Sequence, residues 1–152
     1  KMIFNLIKNK KSEKAQSENE DLIKILALLI HAAKIDENYS EKEKKLIISF
    51  VEMSSNKKLD KEQINSLVDQ AEQYEKNSNQ ILEFTQKVKK MDINTKRRVV
   101  EFLWKIILSD NKSDVYESNL MRRICGLLYL PDKLSGEIKL DIIRKNKNDV
   151  HS

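Results

Sequence analysis

Residues 28–43 read Leu28-Leu29-Ile30-His31-Ala32-Ala33-Lys34-Ile35-Asp36-Glu37-Asn38-Tyr39-Ser40-Glu41-Lys42-Glu43, and this stretch decides the fold. It opens on an apolar helix end, breaks at Asp36, and restarts at Ser40-x-x-Glu43. That restart is a capping box, in which a Ser hydroxyl and a Glu carboxylate satisfy the free N–H groups of a new helix. Residues 102–117 repeat the pattern: Phe102-Leu103-Trp104-Lys105-Ile106-Ile107-Leu108-Ser109-Asp110-Asn111-Lys112-Ser113-Asp114-Val115-Tyr116-Glu117. The register is constant, since 36 and 110, 40 and 114, and 43 and 117 each lie 74 apart. An apolar stripe at helical spacing follows each box: Leu46, Ile47, Phe50 and Val51 in the first, Leu120, Met121, Ile124 and Cys125 in the second. The next caps, Asp60 and Ser135, lie 75 apart. The pattern predicts two pseudo-equivalent halves around a pair of central helices.

Outward from the repeat, helix signals recur along the chain. Ser17-x-x-Glu20 opens a helix over about Asn19–Ile35 that is apolar around most of its circumference, as a central element must be. Ser40 opens a second helix to about Ser55, Asp60 a third to about Lys76, and Ser78 a fourth to about Lys90. Asp92 starts a fifth, again apolar on most faces, and Asp114-x-x-Glu117 a sixth to about Tyr129. Pro131 breaks the chain, and Ser135 is the expected cap of a seventh helix to about Lys145. With 2 Gly, 1 Pro and neither Asn-Gly nor Asp-Gly, the chain has almost no hairpin chemistry. The expected fold is all-α, a compact bundle of about seven helices with an internal pseudo-two-fold repeat.

The domain is expected over residues 19–147. A polar leader, residues 1–18, precedes it, and a frayed tail, residues 148–152, follows. Within the leader, Met2–Ile7 is apolar and short, suited to docking back on the domain or touching a partner or membrane surface. It lacks the features of a secretory signal, and no stretch reaches the roughly 20 apolar residues of a membrane span. A cytoplasmic protein is the expectation. The single cysteine, Cys125, excludes an internal disulfide and reads as a small buried hydrophobe. The net charge of +5 is spread among interleaved acidic and basic residues, so it mainly describes a solvated surface.

The pattern of an apolar helix, an acidic turn and an acidic residue opening the next helix, used twice, resembles the TerB (tellurite resistance protein B)-like family. The resemblance covers roughly Asp21 to Leu130, and includes Phe84 and Phe102-Leu103-Trp104. It puts the turn aspartates at Asp36 and Asp110 and the helix-opening glutamates at Glu43 and Glu117. Where the family usually has glycine after the aspartate, this chain has Glu37 and Asn111. The resemblance implies a bundle of about seven helices whose clustered acidic residues are suggested to bind divalent metal ions. Related domains occur in tellurite and stress-response systems and fused to J-domain co-chaperones.

Two readings of Asp36, Glu43, Asp110 and Glu117 stand side by side. Each can serve its own turn as an N–H acceptor or capping-box member. Alternatively, the turns pool their carboxylates to hold calcium, magnesium or zinc. An EF-hand is rejected, because its twelfth position falls on Ile47 and the second copy has Lys112 at its third. The densest positive stretch is Lys87, Lys89, Lys90, Lys96, Arg97 and Arg98, a solvated helix corner or an anion-binding surface without interleaved aromatics. His31 is expected near the surface without a carboxylate neighbour, and Trp104 in the core. The expected function is non-enzymatic: a TerB-like binding module of a stress or tellurite-resistance type system, with a protein partner and a divalent cation at the acidic turns. The alternative is a nucleic-acid or anionic-surface adaptor built on the basic corner.

Overall fold

The structure, a computed structural model, describes residues 19–35, 39–55, 58–78, 80–109 and 115–151. Among them are seven helices and no strand: α1 (19–33), α2 (Glu41–Ser54), α3 (Lys61–Asn77), α4 (Ile81–Val88), α5 (Ile93–Leu108), α6 (Val115–Leu127) and α7 (Asp132–His151). The all-α bundle expected from the sequence is the one observed. Ser17 and Asp114, expected helix-opening caps, lie outside the described residues.

Consecutive burial shows which helices are central. In α1, Leu26, Ala27, Leu28, Leu29 and Ile30 are all buried, so that helix is surrounded on every side. In α5, Val99, Val100, Phe102, Leu103, Trp104, Ile106 and Ile107 are likewise buried. Both helices feed one continuous core. Around them α5 packs on α2, α6 and α7, α2 packs on α3, and α4 packs on α6. Phe50 of α2 meets Phe102 of α5 edge-on, with ring centroids 5.2 Å apart, so a side chain from each half closes the centre.

The local caps follow the sequence where the signal is local. Ser40 and Glu43 form a reciprocal capping box on α2, Asp60 and Gln63 one on α3, and Asp92 accepts from the Thr95 N–H at the start of α5. Two expected caps are corrected. Ser78 does not cap α4, which begins after Gln80 with no side-chain cap. The Ser78 N–H instead closes α3 on the Glu75 carbonyl, and its hydroxyl donates to Glu83 Oε2 at 2.7 Å. Ser135 does not cap α7 either. That helix begins at Asp132, directly after Pro131, and continues to His151 rather than stopping near Lys145. Ser135 therefore lies inside the helix, where its buried hydroxyl accepts from Trp104 Nε1 at 2.9 Å.

The early start of α7 has a cause in the end of α6. The Leu130 N–H bonds the Cys125 carbonyl at 2.8 Å and the Tyr129 N–H bonds the Gly126 carbonyl at 3.2 Å, the two bonds of a Schellman cap. Tyr129 takes the left-handed position at φ 58°, a site that favours glycine and costs an L-residue about 1 kcal/mol. Leu130 then tucks into the core and Pro131 starts the next helix at once. Cys125 is fully buried, as expected, and burial pushes its thiol up.

Candidate functional site

The first acidic turn is rooted in a buried carboxylate. Glu43 is 2% exposed, and its Oε1 accepts from both the backbone N–H and the hydroxyl of Ser40 at 2.9 Å. The Glu43 N–H completes the box by donating to Ser40 Oγ at 3.2 Å. Asp36 and Asp110 lie outside the described residues, as does the side chain of Glu117, whose backbone falls in the first turn of α6. The helix ends that carry both turns are described, and they meet. Lys42, at the start of α2, donates from Nζ to the carbonyl of Ser109, the residue before Asp110, at 3.1 Å. The start of α2 and the end of α5, each of which adjoins one of the repeated turns in sequence, are thus within reach of one lysine side chain.

Beside this end, Tyr39 donates its hydroxyl to Glu72 Oε1 of α3 at 3.2 Å, and Lys44 reaches the same oxygen at 3.4 Å. Partial burial, then the Glu72 carboxylate, with Glu43 and Glu41 adding, hold the Tyr39 phenol well above its ordinary value. The folded state therefore binds that proton more tightly than the unfolded chain does. Its contribution to stability is complete below about pH 10 and is lost as pH rises beyond it. Tyr39→Phe is expected to cost about 1 kcal/mol at neutral pH. The gap between the two proteins should narrow above about pH 10 in urea melts, and a gap independent of pH would refute the linkage.

One turn further along α3 from Glu72, a groove of about 650 Å³ is lined by His31, Lys34, Glu75, Leu82, Leu120 and Arg123 among others. Glu75 is buried at its floor, taking Lys34 Nζ on one oxygen at 2.8 Å and facing His31 Nδ1 with the other at 3.4 Å. The His31 ring also packs on Phe84, with centroids 5.7 Å apart. The expectation that His31 has no carboxylate neighbour is thus corrected. Its partner comes from α3, 44 residues away, at a separation that no local motif reveals.

The basic stretch forms the corner between α4 and α5. Lys87 pairs with Asp21 at 3.5 Å, and Lys89 lies 4.7 Å over the ring of Tyr129. Lys90, Lys96 and Arg97 make no ion pair among the described residues. Hydrogen bonding to Thr95 lowers the exposed Asp92 carboxyl, which serves as the α5 cap.

The all-α architecture agrees with the comparison of the chain with known protein families. Residues 22–140 match the family described as tellurite resistance protein TerB. The chain belongs to the TerB family. No curated protein and no solved structure matches it. The TerB match covers α1 to α6 and the first half of α7, so it includes both turns, the groove and the basic corner. Among the described residues of this TerB domain, no three His, Cys, Asp or Glu side chains are grouped to hold a metal. Nor is any helix among the described residues long and apolar enough to cross a membrane.

Proposed function

We propose that this TerB-family domain acts by binding rather than by catalysis, and that its two acidic turns together take a divalent cation. The observation that supports this reading is the Lys42–Ser109 hydrogen bond, which sets the end of α5 against the start of α2. Asp36 lies four residues before Ser40, the cap of α2, and Asp110 directly follows Ser109, so the two aspartates, 74 apart in sequence, belong to the segments next to that contact. The donor set offers carboxylate and carbonyl oxygens without thiolate or imidazole, a chemistry suited to magnesium or calcium more than to zinc. Glu43, already committed to the capping box through Oε1, orients the first turn, while Asp36, Asp110 and Glu117 supply the principal ligands. A bound cation neutralises their mutual repulsion and presents both turns as one surface to a protein partner. A stress or tellurite-resistance type system is the setting this family membership favours.

The test is a titration of the full chain with magnesium or calcium, followed by amide NMR. Shifts are expected in residues 39–43, at Ser109 and at the start of α6, and Asp36→Asn combined with Asp110→Asn should abolish them. Saturation at a hundred times Kd should also stabilise the fold by about 2.7 kcal/mol. If millimolar cation leaves those amides unmoved, the cation reading is wrong and the carboxylates serve only their own turns.

A further inference from the structure

The basic corner carries a feature that its sequence does not show. Tyr129 is 70% exposed, yet it holds the left-handed position of the α6 cap, where glycine is cheaper. The strain brings no packing in return, because the ring faces outward under the Lys89 ammonium. One turn of chain beyond Lys89, Met91 is half-buried and Ile93 is 51% exposed at the first position of α5. Lys90 adjoins Met91, and Lys96 and Arg97 lie one helical turn after Ile93. None of the three makes an ion pair among the described residues, and the exposed Asp92 between them is engaged as the α5 cap. The corner also lies at the opposite end of α5 from the acidic turns, which a 16-residue helix separates by about 24 Å.

We infer that this corner, Tyr129 with Ile93, Lys89, Lys90, Lys96 and Arg97, is a docking surface for an anionic lipid bilayer. Positive charge selects an anionic partner, and the exposed apolar groups select which one. A single-stranded nucleic acid is held by stacking on several flat rings. Here there is one ring, and its companions are aliphatic side chains that enter the boundary between headgroups and acyl chains. A tyrosine suits that boundary, with its ring in the apolar layer and its hydroxyl among the headgroups. The lysine and arginine stems lie along the apolar layer while their charges meet lipid phosphates. Docked this way, the domain holds its acidic turns away from the membrane, at the far end of α5. The inference is independent of cation binding at those turns.

The experiment is co-sedimentation of the full chain with vesicles of phosphatidylcholine alone, or of equal parts phosphatidylcholine and phosphatidylglycerol, in EDTA. Binding is expected only to the anionic vesicles and should weaken with salt. Lys89→Ser and Arg97→Ser should each lower the partition coefficient about fivefold. Tyr129→Gly should lower it several-fold while leaving the protein at least as stable, because glycine relieves the strain. Absence of binding to anionic vesicles, or binding that all three variants retain, overturns the inference. Binding to a single-stranded oligonucleotide in place of vesicles, with the same dependence on Tyr129, overturns it in favour of nucleic acid.

Discussion

Trp104→Ala is expected to destabilise the protein by about 4 kcal/mol, lowering its melting temperature by about 8–16 °C. The indole is buried between α5 and α7, and its truncation leaves a large cavity. The same change removes the donor to Ser135 Oγ, leaving that buried hydroxyl with the weak Cys125 thiol beside it. It also removes the ring beneath the Lys139 ammonium, 4.8 Å away on the next turn of α7. Trp104→Phe separates these effects, since it keeps much of the volume and loses the hydrogen bond, for about 1–3 kcal/mol. Adding Ser135→Ala to Trp104→Phe should recover part of that loss. Urea unfolding followed by circular dichroism measures all three. A loss below about 1.5 kcal/mol for Trp104→Ala would mean that α7 is not held through this residue.

The second large effect lies at the centre of the molecule. Phe50→Ala and Phe102→Ala are each expected to cost about 3–5 kcal/mol, because both rings are almost wholly buried. Their edge-on contact crosses from the first half of the repeat to the second. A cycle with leucine in place of alanine keeps the variants folded and measures the link between the halves. The double variant should lose about 0.5–1.5 kcal/mol less than the two single losses added together. Every variant should unfold in one transition. Strictly additive losses, or two separate transitions, would show that the halves are stable units that merely touch.

How much of this was legible in the sequence depended on the range of each interaction. The caps at Ser40, Asp60 and Asp92 were readable because donor and acceptor lie within one turn of chain. Central burial of α1 and α5 was readable because an all-round apolar helix has nowhere else to go. Ser135 misled because its spacing from Asp60 continued the repeat, whereas Pro131 restarts the helix earlier and leaves that hydroxyl for Trp104. The left-handed end of α6 falls on Tyr129 rather than on Gly126, which lies within the helix, so residue type alone did not mark the position. Pairing of His31 and Lys34 with Glu75 depends on α1 packing along α3, which periodicity does not specify. Around the repeated turns, the repeat identified the acidic positions, whereas the Lys42–Ser109 hydrogen bond between the start of α2 and the end of α5 is a tertiary contact that the repeat does not specify.

Trp104 is also the only tryptophan in the chain. Nearly all of the protein's long-wavelength emission therefore arises at one joint, with the indole bonded to Ser135 and covered by Lys139. Fluorescence colour and iodide quenching consequently report the seating of the last helix rather than an average over the fold. If α7 lifts before the rest of the domain melts, the emission will redden while the helix signal persists. The chain carries, without any label, an optical gauge of how firmly its final helix is seated.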